Sequence, residues 1–194
     1  MALVDIERHD PRTADDEVIR ALHALEVTFE AEVHPDDPPP PLSMFTANFR
    51  WVPSYKDKVV LTAHRDGAAV GAAFIDLDRT GDNNHLAEIN LYVAPDHRRQ
   101  GISRPLLDAA VDIAGADGRT LVLSFTADRV PAGAAYAESL GATVGLVERE
   151  SELDLAAVDR DLVARWVAEG PQRADGYELL MFEDGLPEEL RPAF

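Results

Sequence analysis

Between Leu86 and Ala116 an alternating segment, a short arginine-rich loop and an amphipathic segment follow one another directly. In LAEINLYV (86–93), Ala87, Ile89, Leu91 and Val93 share one face, and Glu88, Asn90 and Tyr92 share the other. That period of two is a strand. Towards residue 116, Leu106, Ala109, Ala110 and Ile113 recur at helical spacing. Any fold of this chain must therefore deliver the end of a strand onto the start of a helix, which is an α/β arrangement. The joining loop, HRRQGISR (97–104), places Arg98, Arg99 and Arg104 around Gly101 in a chain with 18 basic and 36 acidic side chains, a net charge of −18.

Unpaired N–H groups and the helix dipole favour an anion at a helix start. Glycine lets the backbone approach closely, and arginine adds charge-assisted hydrogen bonds. Ser103 suits an N-cap, and Pro105 fits the first turn while removing one amide donor. Two readings fit the loop alone: a phosphate cradle, or an exposed turn with solvated arginines. It is neither a Walker loop, lacking Gly-x-x-x-x-Gly-Lys-Ser/Thr, nor a dinucleotide turn, since no Gly-x-Gly-x-x-Gly follows the first strand.

The flanking sequence predicts further strands at 3–8, 59–64, 68–77, 120–125, 142–150 and 176–182, seven in all with 86–93. The 120–125 segment is almost wholly apolar and reads as a buried central strand. Helices are predicted from Thr13, as N-cap, through Val18, Ala21, Leu22, Leu25 and Phe29, then at 43–50, 131–140 and 156–168. The proline run at 34–41 stops the first helix, and Gly141 caps the helix before it. His34, Asp36 and Asp37 border that proline loop.

The chain has no cysteine, which excludes disulfides, thiolate metal sites and an acyl-cysteine intermediate. Its six histidines lie on separate elements without His-x-x-x-His spacing, so no metal is expected. An acidic surface repels nucleic-acid phosphate and anionic lipid, and it either helps attract a cationic amine or serves only to keep the protein in solution. The first residues lack a basic-then-apolar signal pattern, and no apolar run reaches the ~20 residues of a membrane span. These features predict a cytoplasmic protein with neither nucleic acid nor membrane as partner.

The stretch LYVAPDHRRQGISRPLLDAA, the motif Arg98-Arg-Gln-Gly101-Ile-Ser103 and the later YAESLGA resemble the GNAT family of N-acetyltransferases. The resemblance covers about residues 3–150, and the segments beyond resemble the N-terminal half of actinobacterial tandem GNAT proteins. It implies a mixed sheet of about seven strands flanked by helices and splayed between the fourth and fifth strands. Residues 1–185 would form one acetyltransferase domain, with 186–194 a tail or the start of a linker to a second.

The resemblance also implies acetyl-CoA as cosubstrate, held by Arg98, Arg99, Gln100, Gly101, Ile102, Ser103 and Arg104 at the pyrophosphate. Leu91, Tyr92 and Val93 would lie along the pantetheine, and the Val93 amide would act as an oxyanion donor. Glu88 is the candidate general base. The family places an acidic tyrosine four residues before the glycine of its Leu-Gly-Phe motif. That position is Ala137 here and Tyr136 lies one residue earlier, so Tyr136 is the candidate acid or a packed aromatic. The implied activity is acetyl transfer to the primary amine of a small molecule. The alternative is a catalytically degenerate GNAT domain that works beside a partner, either a second GNAT domain or a second copy.

Overall fold

A computed structural model describes residues 4–149, 151–182 and 186–193. The chain divides into two compact units, Met1–Thr143 and Val144–Phe194. The first holds β1 (Asp5–His9), α1 (Asp16–Val33), α2 (Leu42–Arg50), β2 (Lys56–Arg65), β3 (Ala68–Asp78), β4 (Leu86–Val93), α3 (Ser103–Ala116), β5 (Leu121–Leu123) and α4 (Pro131–Ser139). The strands form one sheet in the order β1-β2-β3-β4-β5. The first four are antiparallel neighbours, and β5 pairs parallel to β4.

Alternation along the strands creates two cores. Leu61, Ala73, Ile75, Ala87, Ile89 and Val93 pack with Ile102, Leu106 and Ala110 at the start of α3. Their sequence neighbours Val60 and Ala72 pack with Ile19, Leu22 and Leu25 of α1 and Phe49 of α2. Adjacent strand residues face opposite sides, so α3 covers one face of the sheet and α1 with α2 the other.

Helix ends follow capping chemistry. The predicted cap of α1, Thr13, gives way to Asp15, whose Oδ1 accepts from the amides of Glu17 and Val18. Thr13 is instead held in a preceding turn by the Asp10 carbonyl. Gly118 and Gly141, with φ of 79° and 80°, end α3 and α4 in paired 6→1 and 5→2 hydrogen bonds. Just beyond α3, the buried Arg119 donates to the carbonyls of Asp78, Asn83 and Leu86 and to Asp117. It thereby locks the β3–β4 connection to the helix end.

The sheet has five strands among the described residues, not the predicted seven. Residues 142–149 and 176–182 form no strand, and residue 150 lies outside the described residues. Alternation marks a segment with two distinct faces, but a strand also needs a hydrogen-bonding neighbour. Here Val144, Leu146, Val147 and Leu179 stay exposed. The predicted 120–125 strand shrinks to three residues, and Leu121, Val122 and Leu123 are exposed rather than buried, because β5 is an edge strand. In the second unit α5 spans Arg160–Arg173. It starts later than predicted because Asp159 caps it through the Leu162 amide, while Asp154 closes an earlier turn.

Hydrogen bonds from Arg79 and then Arg119 pull the Asp117 carboxyl down to about 2. A depressed folded value stabilises the fold above the unfolded value of about 3.9, and the gain is lost as pH falls towards the folded value. Asp117→Asn should therefore flatten the dependence of urea-unfolding stability on pH between about 4 and 2. Arg119→Ala should cost about 3 kcal/mol at neutral pH, because it removes a buried guanidinium and strands the three carbonyls it satisfies.

Candidate active site

Pairing between β4 and β5 covers only Leu86↔Leu121, Ala87↔Val122 and Glu88↔Leu123. β5 ends at Leu123, so beyond Glu88 no strand pairs with this edge of β4. The Ala94 amide bonds to the Val70 carbonyl around the Gly71↔Val93 pair, so Val93 is a non-hydrogen-bonded position towards β3. By alternation, the backbone N–H and C=O of Leu91 and Val93 therefore point away from β3, into the gap beside β5. Those of Tyr92 point to β3, so its backbone does not line the gap.

The Val93 carbonyl accepts from Arg98 Nε at 2.9 Å. The guanidinium of Arg98 is otherwise committed to Glu32 at the end of α1, with contacts of 2.9 and 2.5 Å. It also stands 5.6 Å from the centre of the Tyr92 ring. The Tyr92 hydroxyl donates to Glu32 at 3.2 Å, and its ring meets Phe29 edge-on. Burial, followed by the Glu32 charge, pushes the Tyr92 hydroxyl above the ordinary tyrosine range. Arg98 is thus a brace between strand, loop and helix, and its own amide bonds to the Pro95 carbonyl.

The loop turns tightly at Arg99 and Gly101, with φ of 60° and 78°. Among the described residues, the amides of Arg99, Gly101 and Ile102 donate to no protein acceptor. Ile102, not the predicted Ser103, occupies the N-cap position of α3, and its buried side chain anchors the loop in the core. Isoleucine offers no capping oxygen, so the amides of Ser103 and Arg104 in the first turn have no side-chain cap. A row of free donors thus opens at the helix start.

Arg104 pairs with Asp108 at 3.0 Å, whereas Arg99 is exposed and has no ion-pair partner among the described residues. Gln100 is tied back to the Asp96 carbonyl through Nε2 and to Arg65 through Oε1. Arg65 also reaches the Gln100 carbonyl at 3.4 Å. It lies 35 positions away on β2, which is why loop chemistry alone does not disclose it. Glu32 and Asn90 were missed for a similar reason, since their partners are known only once the sheet and α1 are in place.

Glu88 stands on the α1 face of β4, directly opposite Asp76 of β3. Its Oε1 accepts from Asn90 Nδ2 at 2.9 Å. Tyr136 lies on α4, and its hydroxyl is buried with no hydrogen-bond partner among the described residues. An orphaned buried hydroxyl is costly unless a ligand completes it. Free amides at a helix start beside an unpaired strand edge suit a pyrophosphate and an amide-bearing chain, so the residues present fit acetyl-CoA. Among the described residues, no group of three or more His, Asp or Glu is placed to hold a metal.

The model of the acetyltransferase (GNAT) family matches residues 19–142. The chain belongs to the GNAT family. Solved structures share its fold at low identity. One is an aminoglycoside acetyltransferase from an uncultured soil metagenomic sample, in complex with sisomicin: 19% identity, 78% of this chain, 97% of that chain, TM-score 0.59. Another is the ribosomal-protein-alanine N-acetyltransferase of Brucella melitensis biovar Abortus 2308: 21% identity, 78% and 100% coverage, TM-score 0.59. A tandem GNAT protein from the clavulanic acid biosynthesis pathway is similar over 97% of this chain but only 57% of its own, with 22% identity and a TM-score of 0.65. No curated protein matches the chain. No helix among the described residues of this GNAT protein is long and apolar enough to cross a membrane.

The Glu32 brace has a spectroscopic signature. Glu32→Gln removes the negative charge beside Tyr92 and leaves the Arg98 cation, so Tyr92 should ionise at lower pH. Tyrosinate absorbance should show the late-titrating phase moving down, and Tyr92→Phe should abolish that phase. An unmoved late phase in Glu32→Gln would contradict the brace.

Proposed function

We propose that this GNAT protein transfers an acetyl group from acetyl-CoA to the primary amine of a small molecule, by direct attack within a ternary complex. The carrying observation is the convergence of free amides at Arg99 and Gly101–Arg104 with the open β4 edge at Leu91 and Val93. Acetyl-CoA supplies an activated thioester. The amides of the loop and first helical turn hold its pyrophosphate, supported by the uncommitted charge of Arg99. The Leu91 N–H and C=O pair with its pantetheine as an added strand would. The Val93 N–H donates to the acyl oxygen and stabilises the charge that develops there.

Glu88 takes a proton from the attacking amine, directly or through water. The new C–N bond forms as the C–S bond breaks, and the Tyr136 hydroxyl gives its proton to the departing sulfur. The absence of cysteine excludes an acyl-cysteine intermediate and supports direct attack as the route. The chain's net charge of −18 favours a cationic acceptor. A second reading, a degenerate GNAT domain beside a partner domain, draws support from Ala137 at the family's tyrosine position and from the similarity to one part of a tandem protein.

Calorimetry with acetyl-CoA, followed by thiol release over a panel of sisomicin, spermidine and an N-terminal-alanine peptide, tests the proposal. Binding with amine-dependent release is expected. Binding without release on any amine supports the degenerate reading, and no binding at millimolar cosubstrate contradicts both. Glu88→Gln should lower turnover by about 100-fold with little change in acetyl-CoA affinity. Gly101→Glu should weaken binding by more than about tenfold, since it puts a carboxylate and a strained positive φ into the cradle.

A further inference from the structure

We infer that Asn90 is a positioning residue that orients Glu88 and fixes it to the mouth of the gap between β4 and β5. The inference rests on the base role proposed above for Glu88. Asn90 Nδ2 donates to Glu88 Oε1 at 2.9 Å, and Asn90 Oδ1 accepts from the Phe125 amide at 3.2 Å. The ladder ends at Glu88↔Leu123, and Asn90 and Phe125 each lie two residues further along. Where a continuing ladder would join backbone to backbone, a side-chain amide bridges the strands instead. Its length holds them apart and leaves Leu91 free to pair elsewhere.

The amide can satisfy both partners in one orientation only. A carboxylate only accepts and a backbone N–H only donates, so Nδ2 must face Glu88 and Oδ1 must face Phe125. One carboxylate oxygen of Glu88 is thereby occupied, which leaves the other to receive a proton. The donated hydrogen bond also sets the direction in which the carboxylate points. The surrounding charges do not supply that bond. Asp76 stands opposite on β3, with Lys58 at 3.7 Å and Lys56 at 4.0 Å from its carboxylate. Tyr92 follows on β4, with Arg98 against its ring. Glu26, Glu30 and Glu32 belong to α1, which packs on this face. Leu123 and Phe125 on the far side are uncharged.

The two bonds of Asn90 are separable. In Asn90→Asp an oxygen remains to accept the Phe125 amide, while the donor to Glu88 becomes a like charge. Carbon-13 NMR of the glutamate carboxyls, assigned with Glu88→Gln, should show the Glu88 midpoint rising in Asn90→Asp, where a like charge replaces the donor. The acid limb of kcat should rise with it on whichever panel amine turns over fastest, while acetyl-CoA affinity is retained. Asn90→Ser, uncharged and too short to reach both partners, should shift Glu88 in the same direction by less. An unmoved Glu88 midpoint in both variants overturns the inference. If Glu88→Gln keeps full turnover, the base assignment itself falls and the role of Asn90 falls with it. A normal loss in Glu88→Gln with an unmoved titration overturns Asn90 alone.

Discussion

The early end of the β4–β5 ladder is the constraint on which the rest of the site depends. Backbone polar groups left unpaired inside a fold must find partners. At the close of β4 those partners come one by one: Arg98 takes the Val93 carbonyl and Asn90 takes the Phe125 amide. The Leu91 groups and the Val93 amide keep no protein partner among the described residues. Commitment of Arg98 then recruits Glu32 and Tyr92, so the helix that precedes the proline loop is tied to the strand whose far edge is open. The end of β4, the loop and α1 are therefore one connected hydrogen-bonded unit.

This connection reassigns the three arginines that stand out in an acidic chain. Arg98 serves the architecture, Arg104 pairs within its own helix through Asp108, and Arg99 alone has no ion-pair partner among the described residues. The uncommitted donors of the loop come chiefly from backbone. Positive φ at Arg99 and Gly101 turns successive amides outward, and a buried isoleucine at the N-cap position leaves the helix start open. A capping serine there would have consumed one of those donors.

Much of the first unit was legible in the sequence because its periods are strong. The alternation of residues 86–93, the helical stripe through Leu106 and Ala110 and the glycine-ended helices all appear where local chemistry predicts them. What was not legible depends on distant partners. Thr13 looked like a cap only until Asp10 claimed its amide. The 142–150 and 176–182 segments carry strand-like alternation, yet alternation does not supply a neighbouring edge. Of the candidate site residues, Gly101 stood out from loop chemistry, and Glu88 from its strand face together with the family resemblance. Asn90 looked like an ordinary polar strand residue until Phe125 was placed beside it.

The central claim is that the β4 edge and the α3 start together form a coenzyme A cleft. The most direct measurement is a backbone amide NMR titration of the full chain with coenzyme A. The account predicts that the largest shifts fall on Leu91, Val93, Arg99 and Gly101–Arg104, with Tyr92 much less affected because its amide faces β3. Saturable shifts centred elsewhere, or no shifts at millimolar coenzyme A, would contradict it.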